Sequence, residues 1–452
     1  MDLSADGAAG AVDAGGNSNG GGEAGTGMGA QQVQAQQQED LNLSFDWEAH
    51  ASVYRGHART RRLLFVSTRL PEAARASALK EVLSEAKADE DLATYREAAA
   101  RLEAGGHAAG DAAWLSAADA RAAARLAKLE SELNGYRNNL IKESIRMGHH
   151  DLGEFHYERG DLKSALKCFV RTRDFCTTAK HIVGMCLSVV RVSIEMGNYL
   201  HVANYVQKAE ATPEVGTDPM VAAKLAAAAG LAQLAQRKYK AAARTLCGVP
   251  AELGNSYNDV IAPTDIATYG AICALATFER SELKTRVLDS VSFRSMLELT
   301  PSVRELVGDF YASRYASCLD SLRTLKADLK MDIHLHDHVD ALYAQIRQRA
   351  LIQYATPFSS VELSRMATAF HTTVAELQKE LAALIADGKI NARIDSHGGV
   401  LYARRSDKRA STFAGALKAG QSYEMETRAL LLRGALLRHN VIVTKNDRRA
   451  CS

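Results

Sequence analysis

The sequence predicts an all-α solenoid of tetratricopeptide-like helical hairpins, followed by a winged helix and a C-terminal helix. Only 7 prolines occur in 452 residues, which favours long uninterrupted helices. A hairpin pattern recurs in the middle of the chain, with turns at Gly160, Gly197 and Arg237. Nearer the C-terminus, three helical segments precede two short strand patterns, which is the order of elements in a winged helix.

The first 145 residues divide into two predicted regions. Residues 1–40 are mostly Gly, Ala, Asn and Gln, with almost no large apolar side chain. Because such a segment cannot bury enough surface to offset the entropy of ordering, we expect a disordered leader. Residues 41–145 are predicted to form an N-terminal helical region, in which apolar residues at helical spacing begin with Phe45 and Trp47.

Residues 146–335 are predicted to form the helical-repeat domain. Small residues after each turn let two helices approach closely, and a larger residue four positions later fills the groove against the next hairpin. The residues assigned to repeat packing are Gly160, Ala165, Phe169, Gly197, Val202, Val206, Tyr239, Ala242 and Leu246. The alternative is a coincidence of helix amphipathicity.

Residues 336–405 are predicted to form the winged helix. Helices are expected over 339–354 and 373–386, with a third helix between them that Ser359 and Ser360 would cap. Strands are expected over 390–394 and 400–402, with one strand edge free to pair with a neighbouring subunit. The strand residues assigned to such contacts are Ile390, Ala392, Ile394, Val400 and Tyr402.

Residues 406–452 are predicted to form a linker and a C-terminal assembly helix. The charged residues at 407–409 suggest a connector, and a helix is expected over 423–439. Its apolar surface is too large for a lone helix in water, so we expect it to join a multi-helix bundle. The residues assigned to this contact are Met425, Leu430, Leu432 and Leu436. The alternative is that the helix folds back onto its own winged helix.

Bulk properties limit the class of protein and its compartment. A formal net charge of +2 provides no overall attraction to nucleic acid or to an anionic membrane. The 7 cysteines include no C-x-x-C pair, and six of them lie in apolar helical patterns, which suits buried thiols in a reducing compartment. No run of about 18 apolar residues and no signal peptide are found, so we expect a protein of the nucleus and cytoplasm that does not bind membranes.

The sequence motifs argue against catalysis, cofactors and bound metal. His334, His336 and His338 could in principle bind zinc, but a metal-dependent isopeptidase needs a serine eight positions after the His-x-His pair and an aspartate three positions later. Counting from His336 or from His338 finds neither residue. We therefore expect a polar connecting turn with solvated imidazoles, and no catalytic, metal or cofactor site.

The sequence is also compatible with two other functions, nucleic-acid binding and the capture of peptides. Winged helices often place their third helix in a DNA groove, but here that helix carries Glu376, Glu380 and Asp387 against a single lysine, which disfavours phosphate contacts. Basic residues cluster at 59–62 and 404–409 without interleaved aromatic residues. Nucleic-acid binding is thus the less favoured alternative. Capture of peptides by the repeats would need a basic or aromatic stripe on the inner helices.

Several stretches resemble one family of proteins. They are residues 174–181, 269–278, 345–354 and 392–397, and together with the layout of repeats and winged helix they resemble the first-subunit family of the constitutive photomorphogenesis (COP) signalosome, a family of PCI-domain proteins. The resemblance extends from about Phe45 to Val443. The Gly-rich leader and the Ala-rich stretch 108–127 depart from the family pattern. PCI subunits of the proteasome lid or of a translation initiation complex are the alternatives.

The resemblance implies a structural role. PCI subunits associate through their winged helices, and their C-terminal helices gather in one bundle. The implied partners are other PCI subunits of the signalosome and, through the assembly, cullin-RING ubiquitin ligases. The assembly removes a ubiquitin-like modifier from cullins, and the resemblance implies that its metal-dependent isopeptidase site belongs to another subunit.

Overall fold

The predicted fold class is confirmed by the computed structural model, which describes residues 45–107, 110–212, 218–404, 408–439 and 441. The described residues form helices almost throughout and one small sheet. They divide into two compact units, with the division between Arg347 and Gln348. The expected disordered leader, residues 1–40, lies outside the described residues. Among the described segments, none of the helices combines the length and the apolar character that a membrane crossing requires.

The first unit is built from consecutive antiparallel helices. They are α1 (Trp47–Ser52), α2 (His57–Ser67), α3 (Glu72–Ala88), α4 (Leu92–Ala104), α5 (Ala112–Asn138), α6 (Lys142–Glu158), α7 (Leu162–Arg171), α8 (Ala179–Glu195), α9 (Tyr199–Glu210), α10 (Pro219–Ala235), α11 (Tyr239–Leu246), α12 (Pro263–Thr277), α13 (Arg280–Leu283), α14 (Val291–Leu297), α15 (Pro301–Tyr311) and α16 (Tyr315–Lys330). Short 3₁₀ segments cover Thr172–Phe175 and Ala251–Leu253, and a π segment covers Lys284–Leu288. Helix α17 (Val339–Ala355) contains the division between the units.

The hairpin turns share one backbone geometry. At the three turns expected from the sequence, Gly160, Gly197 and Arg237 all have a positive φ, of 76°, 70° and 59°. In each case the next residue donates its N–H to the carbonyl five positions earlier, as when Asp161 N–H bonds the His156 oxygen at 2.9 Å. This bond satisfies a carbonyl that the helix end leaves without a partner. The turn is therefore defined by its conformation, and glycine is only the residue that adopts it most easily.

Two more hairpins have the same turn without glycine. Glu90 and Ser313 have φ of 55° and 60°, and the residues after them make the same bond, Asp91 N–H to Ala86 O at 3.0 Å and Arg314 N–H to Asp309 O at 2.9 Å. The residues five and nine positions after each turn, Tyr95 and Ala99, Cys318 and Leu322, are buried. The repeat thus continues before and after the three hairpins that the sequence revealed.

Close helix contacts explain two buried glycines. A Cβ atom on Gly153 of α6 would lie 2.7 Å from the Phe169 ring of α7. A Cβ atom on Gly230 of α10 would lie 2.4 Å from Leu246 of α11. Both partners are fully buried large residues, so each glycine creates the space into which the residue of the next helix packs.

The second unit contains a three-stranded sheet, where the sequence predicted two strands. Its helices are α18 (Leu363–Ala369) and α19 (Val374–Ala386), and its strands are β1 (Ser360–Glu362), β2 (Ala392–Asp395) and β3 (Val400–Ala403) in the order β1-β3-β2. The predicted serine caps are wrong: Ser360 lies in β1, and Glu362 occupies the N-cap of α18. Val361 is buried between exposed neighbours and pairs with Leu401, so alternation identifies a strand at this point.

The C-terminal helix is longer than predicted. Helix α20 runs continuously from Lys408 to Arg438, so the residues 408 and 409 expected in a connector belong to the helix. No proline interrupts the first part of this helix, and Ala414 and Ala416 favour a helical conformation on either side of Gly415. The charged residues at its start suggest a connector from the sequence alone, but in the structure they begin the helix.

The close contact at Gly153 yields a stability prediction. We expect Gly153→Ala to lower the free energy of unfolding by about 1 to 3 kcal/mol, because the added methyl group overlaps the Phe169 ring. The control is Gly135→Ala in α5, where nothing lies within 4 Å of the added atom. Alanine at position 135 should stabilise the protein by up to about 1 kcal/mol, because alanine has a higher helix propensity than glycine. Equal effects of the two substitutions in chemical denaturation would contradict the packing argument.

Candidate functional site

The edge of the sheet in the second unit is formed by β2. Strand β2 pairs on one side only, with β3, in a register that places Arg393 opposite Tyr402 and Ile394 opposite Leu401. Arg404 N–H bonds the Asn391 oxygen at 2.8 Å, so Asn391 and Arg404 form a hydrogen-bonded pair. Since such pairs alternate along an antiparallel ladder, the N–H groups of Ala392 and Ile394 point away from β3.

The structure assigns the predicted strand residues to different places in the sheet. Ile390 and Ala392 are buried, whereas Ile394 is half-buried at the outer strand. Val400 and Tyr402 lie in the central strand β3, which is paired on both sides. Val400 and Tyr402 therefore do not lie on a free strand edge, and their assignment to an inter-subunit contact stays a prediction. Strand β1, which the sequence pattern did not predict, pairs with the side of β3 that would otherwise be a free edge.

Helix α20 exposes most of its apolar residues. Met425, Leu430 and Leu432 are 68%, 66% and 62% exposed, and Leu436 is half-buried. Met425, Leu432 and Leu436 follow one face at helical spacing, whereas Tyr423, Leu430 and Leu437 follow a second face. A helix that is apolar on more than one face is normally surrounded by other helices. These exposed residues contradict the alternative in which the described part of this helix folds back onto its own winged helix.

A buried polar network lies in the first unit. Arg62 of α2 is 3% exposed and contacts Asp265 of α12 at 3.2 Å. The Tyr54 hydroxyl donates to Asp265 Oδ1 at 2.7 Å, and the Arg62 guanidinium lies 3.8 Å from the centre of the Tyr54 ring. Asn258 Nδ2 donates to the Val53 carbonyl at 2.8 Å. These contacts join the first described helices to residues some 200 positions later in the chain.

The network continues into the segment before α17. The Tyr269 hydroxyl donates to the Asp332 carboxylate at 2.7 Å. The same carboxylate accepts the N–H groups of His334 and Leu335 at 2.8 and 2.9 Å, which fixes the turn. Burial is the largest single influence and opposes ionisation of Asp332, but the charge of Arg62, His334 and the hydrogen bond from Tyr269 together lower the pKa of this carboxyl. One arginine thereby stabilises carboxylates from two separate segments.

The expected solvated imidazoles at 334–338 are not found, and that prediction is wrong. His338 is 7% exposed, and its Nδ1 lies 3.2 Å from the Tyr239 hydroxyl. His334 Nδ1 lies 3.3 Å from the Tyr199 hydroxyl, and His336 packs against the Phe65 ring. Burial, followed by the charge of Arg62, lowers the pKa of His334 to about 3. All three histidines are held by the first unit, because tyrosines are the hydrogen-bond partners of His334 and His338, and His336 Nδ1 lies 3.0 Å from the Ile333 carbonyl oxygen.

The described residues contain no group of three or more histidine, cysteine, aspartate or glutamate side chains that could hold a metal ion. Five of the cysteines are buried and Cys176 is half-buried. Burial raises the pKa of the Cys186 thiol to about 11 and that of Cys273 to about 12, so both thiols are protonated at neutral pH.

One of the two basic clusters considered for nucleic acid is used internally. Arg62 belongs to the buried network, and Arg59 pairs with Glu81 and with Glu85 at 2.7 Å. Arg404 is exposed at the end of β3, but Arg405 lies outside the described residues. The third helix of the winged fold, α19, carries the acidic residues already noted. Among the described residues, Arg59 and Arg62 are thus paired within the chain and do not contribute to a basic surface for nucleic acid.

Helical hairpins with a small winged helix after them define a PCI-type protein, and comparisons with known proteins agree. Residues 322–405 match the PCI domain, and residues 111–286 match the family described as 26S proteasome subunit RPN7. The chain belongs to the family of COP9 signalosome complex subunit 1. It is 54% identical to the Arabidopsis thaliana protein of that name over 401 residues, which cover 87% of this chain and 90% of the relative.

Two further relatives define the limits of this similarity. COP9 signalosome complex subunit 1b of Drosophila melanogaster is 45% identical over 347 residues, covering 76% of this chain and 66% of the relative. The 26S proteasome regulatory subunit RPN7 of Saccharomyces cerevisiae is 26% identical over 274 residues, covering 60% and 63%. The chain is thus more similar to these two signalosome subunits than to this proteasome subunit.

The low pKa of His334 predicts a pH-dependent stability. The unfolded chain gains a proton on this histidine below about pH 6.5 whereas the folded chain does not, so stability falls as the pH falls from there towards 3. We expect His334→Asn to reduce the slope of unfolding free energy against pH by up to about 1.4 kcal/mol per pH unit. Urea titrations between neutral and mildly acidic pH measure it. An unchanged slope in His334→Asn would contradict the assignment.

Proposed function

We propose that this chain is a non-catalytic scaffold subunit of the signalosome, the cullin-deneddylating complex that regulates cullin-RING ubiquitin ligases. The proposed partners are the other PCI subunits of that complex and, through the assembly, cullin-RING ligases. The proposed location is the nucleus and the cytoplasm. The isopeptidase site is assigned to another subunit, since the residues after His336 and His338 lack the serine and aspartate that such a site requires.

The observation that carries this proposal is the exposed apolar surface of α20. A helix of 31 residues is about 46 Å long, enough to contact more than one neighbouring helix. Its leucines are exposed on several faces, which is costly unless other helices cover them. A scaffold subunit explains that surface because the helix would be buried on assembly. The greater identity to signalosome subunits than to the yeast proteasome subunit favours the signalosome over the proteasome lid.

The scaffold proposal predicts that α20 is needed for assembly and not for folding. Leu430→Glu with Leu432→Glu should weaken capture of partner PCI subunits by 100-fold or more, since burying two leucines contributes roughly 3 to 6 kcal/mol. The melting temperature of the isolated chain should not change, because both side chains are exposed there. Reconstitution with purified partner subunits and circular dichroism measure the two effects.

The matched control places the same charge on the same helix. Gln421→Glu with Ser422→Glu adds two carboxylates at exposed polar positions and should leave capture intact. Normal capture by the leucine variant, or a lowered melting temperature of that variant alone, would contradict the assembly proposal.

The outward N–H groups of β2 lead to a second proposal, that a neighbouring PCI subunit adds a strand at this edge. Ile394→Pro removes one outward N–H but leaves the hydrogen bonds of the pair Arg393 and Tyr402, so we expect weaker capture of partners with helix content preserved. Ile394→Val retains the N–H group and a β-branched side chain, and it should capture partners normally. Co-purification that Ile394→Pro does not reduce would rule out strand addition at β2.

A further inference from the structure

A cleft in the first unit carries an excess of basic side chains. It has a volume of about 400 Å³ and is lined by α6, α8 and α10, the first helices of three successive hairpins, together with the segment before α12. Its lining includes four basic residues, Arg146, Lys180, Arg191 and Lys224, against the two carboxylates of Glu154 and Asp259. The first helices of a stacked hairpin array commonly form an extended binding surface.

Two of these four basic residues form ion pairs with carboxylates of the described chain, and the other two do not. Arg146 pairs with Glu143 at 2.5 Å, and Arg191 pairs with Glu154 at 2.5 Å. Lys224 lies 5.7 Å from the centre of the Tyr257 ring, and Lys180 is exposed at the start of α8. Because Glu143 and Glu154 balance the two arginines, the two lysines against the carboxylate of Asp259 leave the cleft with one excess positive charge.

Two buried polar groups in the lining are without partners among the described residues. Tyr257 is 4% exposed, and its hydroxyl makes no hydrogen bond there. Arg191 Nε also lacks an acceptor, although the rest of its guanidinium is engaged. A buried donor without an acceptor costs about 1 to 3 kcal/mol in a folded protein. Arg191 Nε can only donate and the Tyr257 hydroxyl can donate, so a ligand rich in acceptor oxygens satisfies both.

We propose that this cleft binds an extended acidic segment of a partner protein, through its glutamate or aspartate side chains. The cleft crosses three helices, and packed helices lie 8 to 10 Å apart, so its basic residues extend over about 20 Å. An extended peptide covers that distance with about six residues. Carboxylates spaced along such a segment contact Lys180 and Lys224, and one of them accepts from the Tyr257 hydroxyl.

The test uses the full-length chain and a fluorescent peptide of about ten residues in which glutamate and serine alternate. Fluorescence anisotropy should show binding that weakens as salt is added, and a matched peptide with glutamine in place of glutamate should not bind. Lys180→Glu with Lys224→Glu should bind roughly tenfold more weakly or worse. The control Lys163→Glu with Lys167→Glu makes the same charge change on α7, outside the cleft lining, and should bind as the unmodified chain does.

Tyr257→Phe separates binding from folding. Loss of an unpartnered buried hydroxyl should leave the melting temperature of the unliganded chain unchanged or higher, whereas peptide binding should fall roughly tenfold. Unaltered binding by both Tyr257→Phe and the Lys180 and Lys224 variant would overturn the proposal. An equal loss in the α7 control would also overturn it, because binding would then reflect net charge alone.

Two other occupants give distinguishable results. Residues 1–44 contain six acidic and no basic side chains, so this segment of the chain is itself complementary in charge to the cleft. If the peptide binds only after residues 1–44 are deleted, the chain's own leader is the occupant and the partner proposal fails. Competition by inorganic phosphate at the concentration of the peptide would instead indicate a small-anion site, and it would overturn the proposal as well.

Discussion

The ion pair between Arg62 and Asp265 joins helix α2, near the start of the described chain, to helix α12. Each partner is almost fully buried: Asp265 also accepts from the Tyr54 hydroxyl and the Ala262 N–H, and the Arg62 guanidinium lies over the Tyr54 ring. A buried ion pair is weak evidence for stability by itself, but removal of one partner usually costs about 3 to 5 kcal/mol because a buried charge remains. The contact therefore specifies which surfaces meet, since other placements of α2 would leave Arg62 buried without a carboxylate.

This long-range closure changes the energetics of the repeat array. A simple solenoid contacts only its nearest neighbours, and its stability is close to a sum over repeats. Here the described N-terminal helices also contact residues 258, 265 and 336. We infer that the hairpins between these contacts are constrained at both ends. The cleft on α6, α8 and α10 lies within this constrained stretch, so the helices that line it are positioned before any ligand binds.

The sequence predicted elements that depend on local patterns and missed those that depend on distant partners. Helices α6 to α11 follow from the spacing of apolar residues around Gly160 and Gly197, whereas the same turns at Glu90 and Ser313 lack the glycine that identifies them. Strand β1 has three residues, too few for a periodic signal, and its pairing with β3 decides its conformation. Arg62 and Asp265 are 203 positions apart, and local periodicity cannot connect them. His334 and His338 were predicted to be solvated because their tyrosine partners come from other helices, which a local pattern does not show.

The apolar surfaces of the two units serve different purposes. In the first unit the side chains five and nine positions after each turn are covered by neighbouring helices of the same chain, so the packing of the hairpins needs no partner. In the second unit the leucines of α20 remain exposed, and their burial must come from outside the chain. Folding and assembly therefore draw on separate sets of residues. A substitution in the basic cleft can then change the capture of a ligand without affecting α20, and a substitution in α20 can prevent assembly while the cleft stays intact.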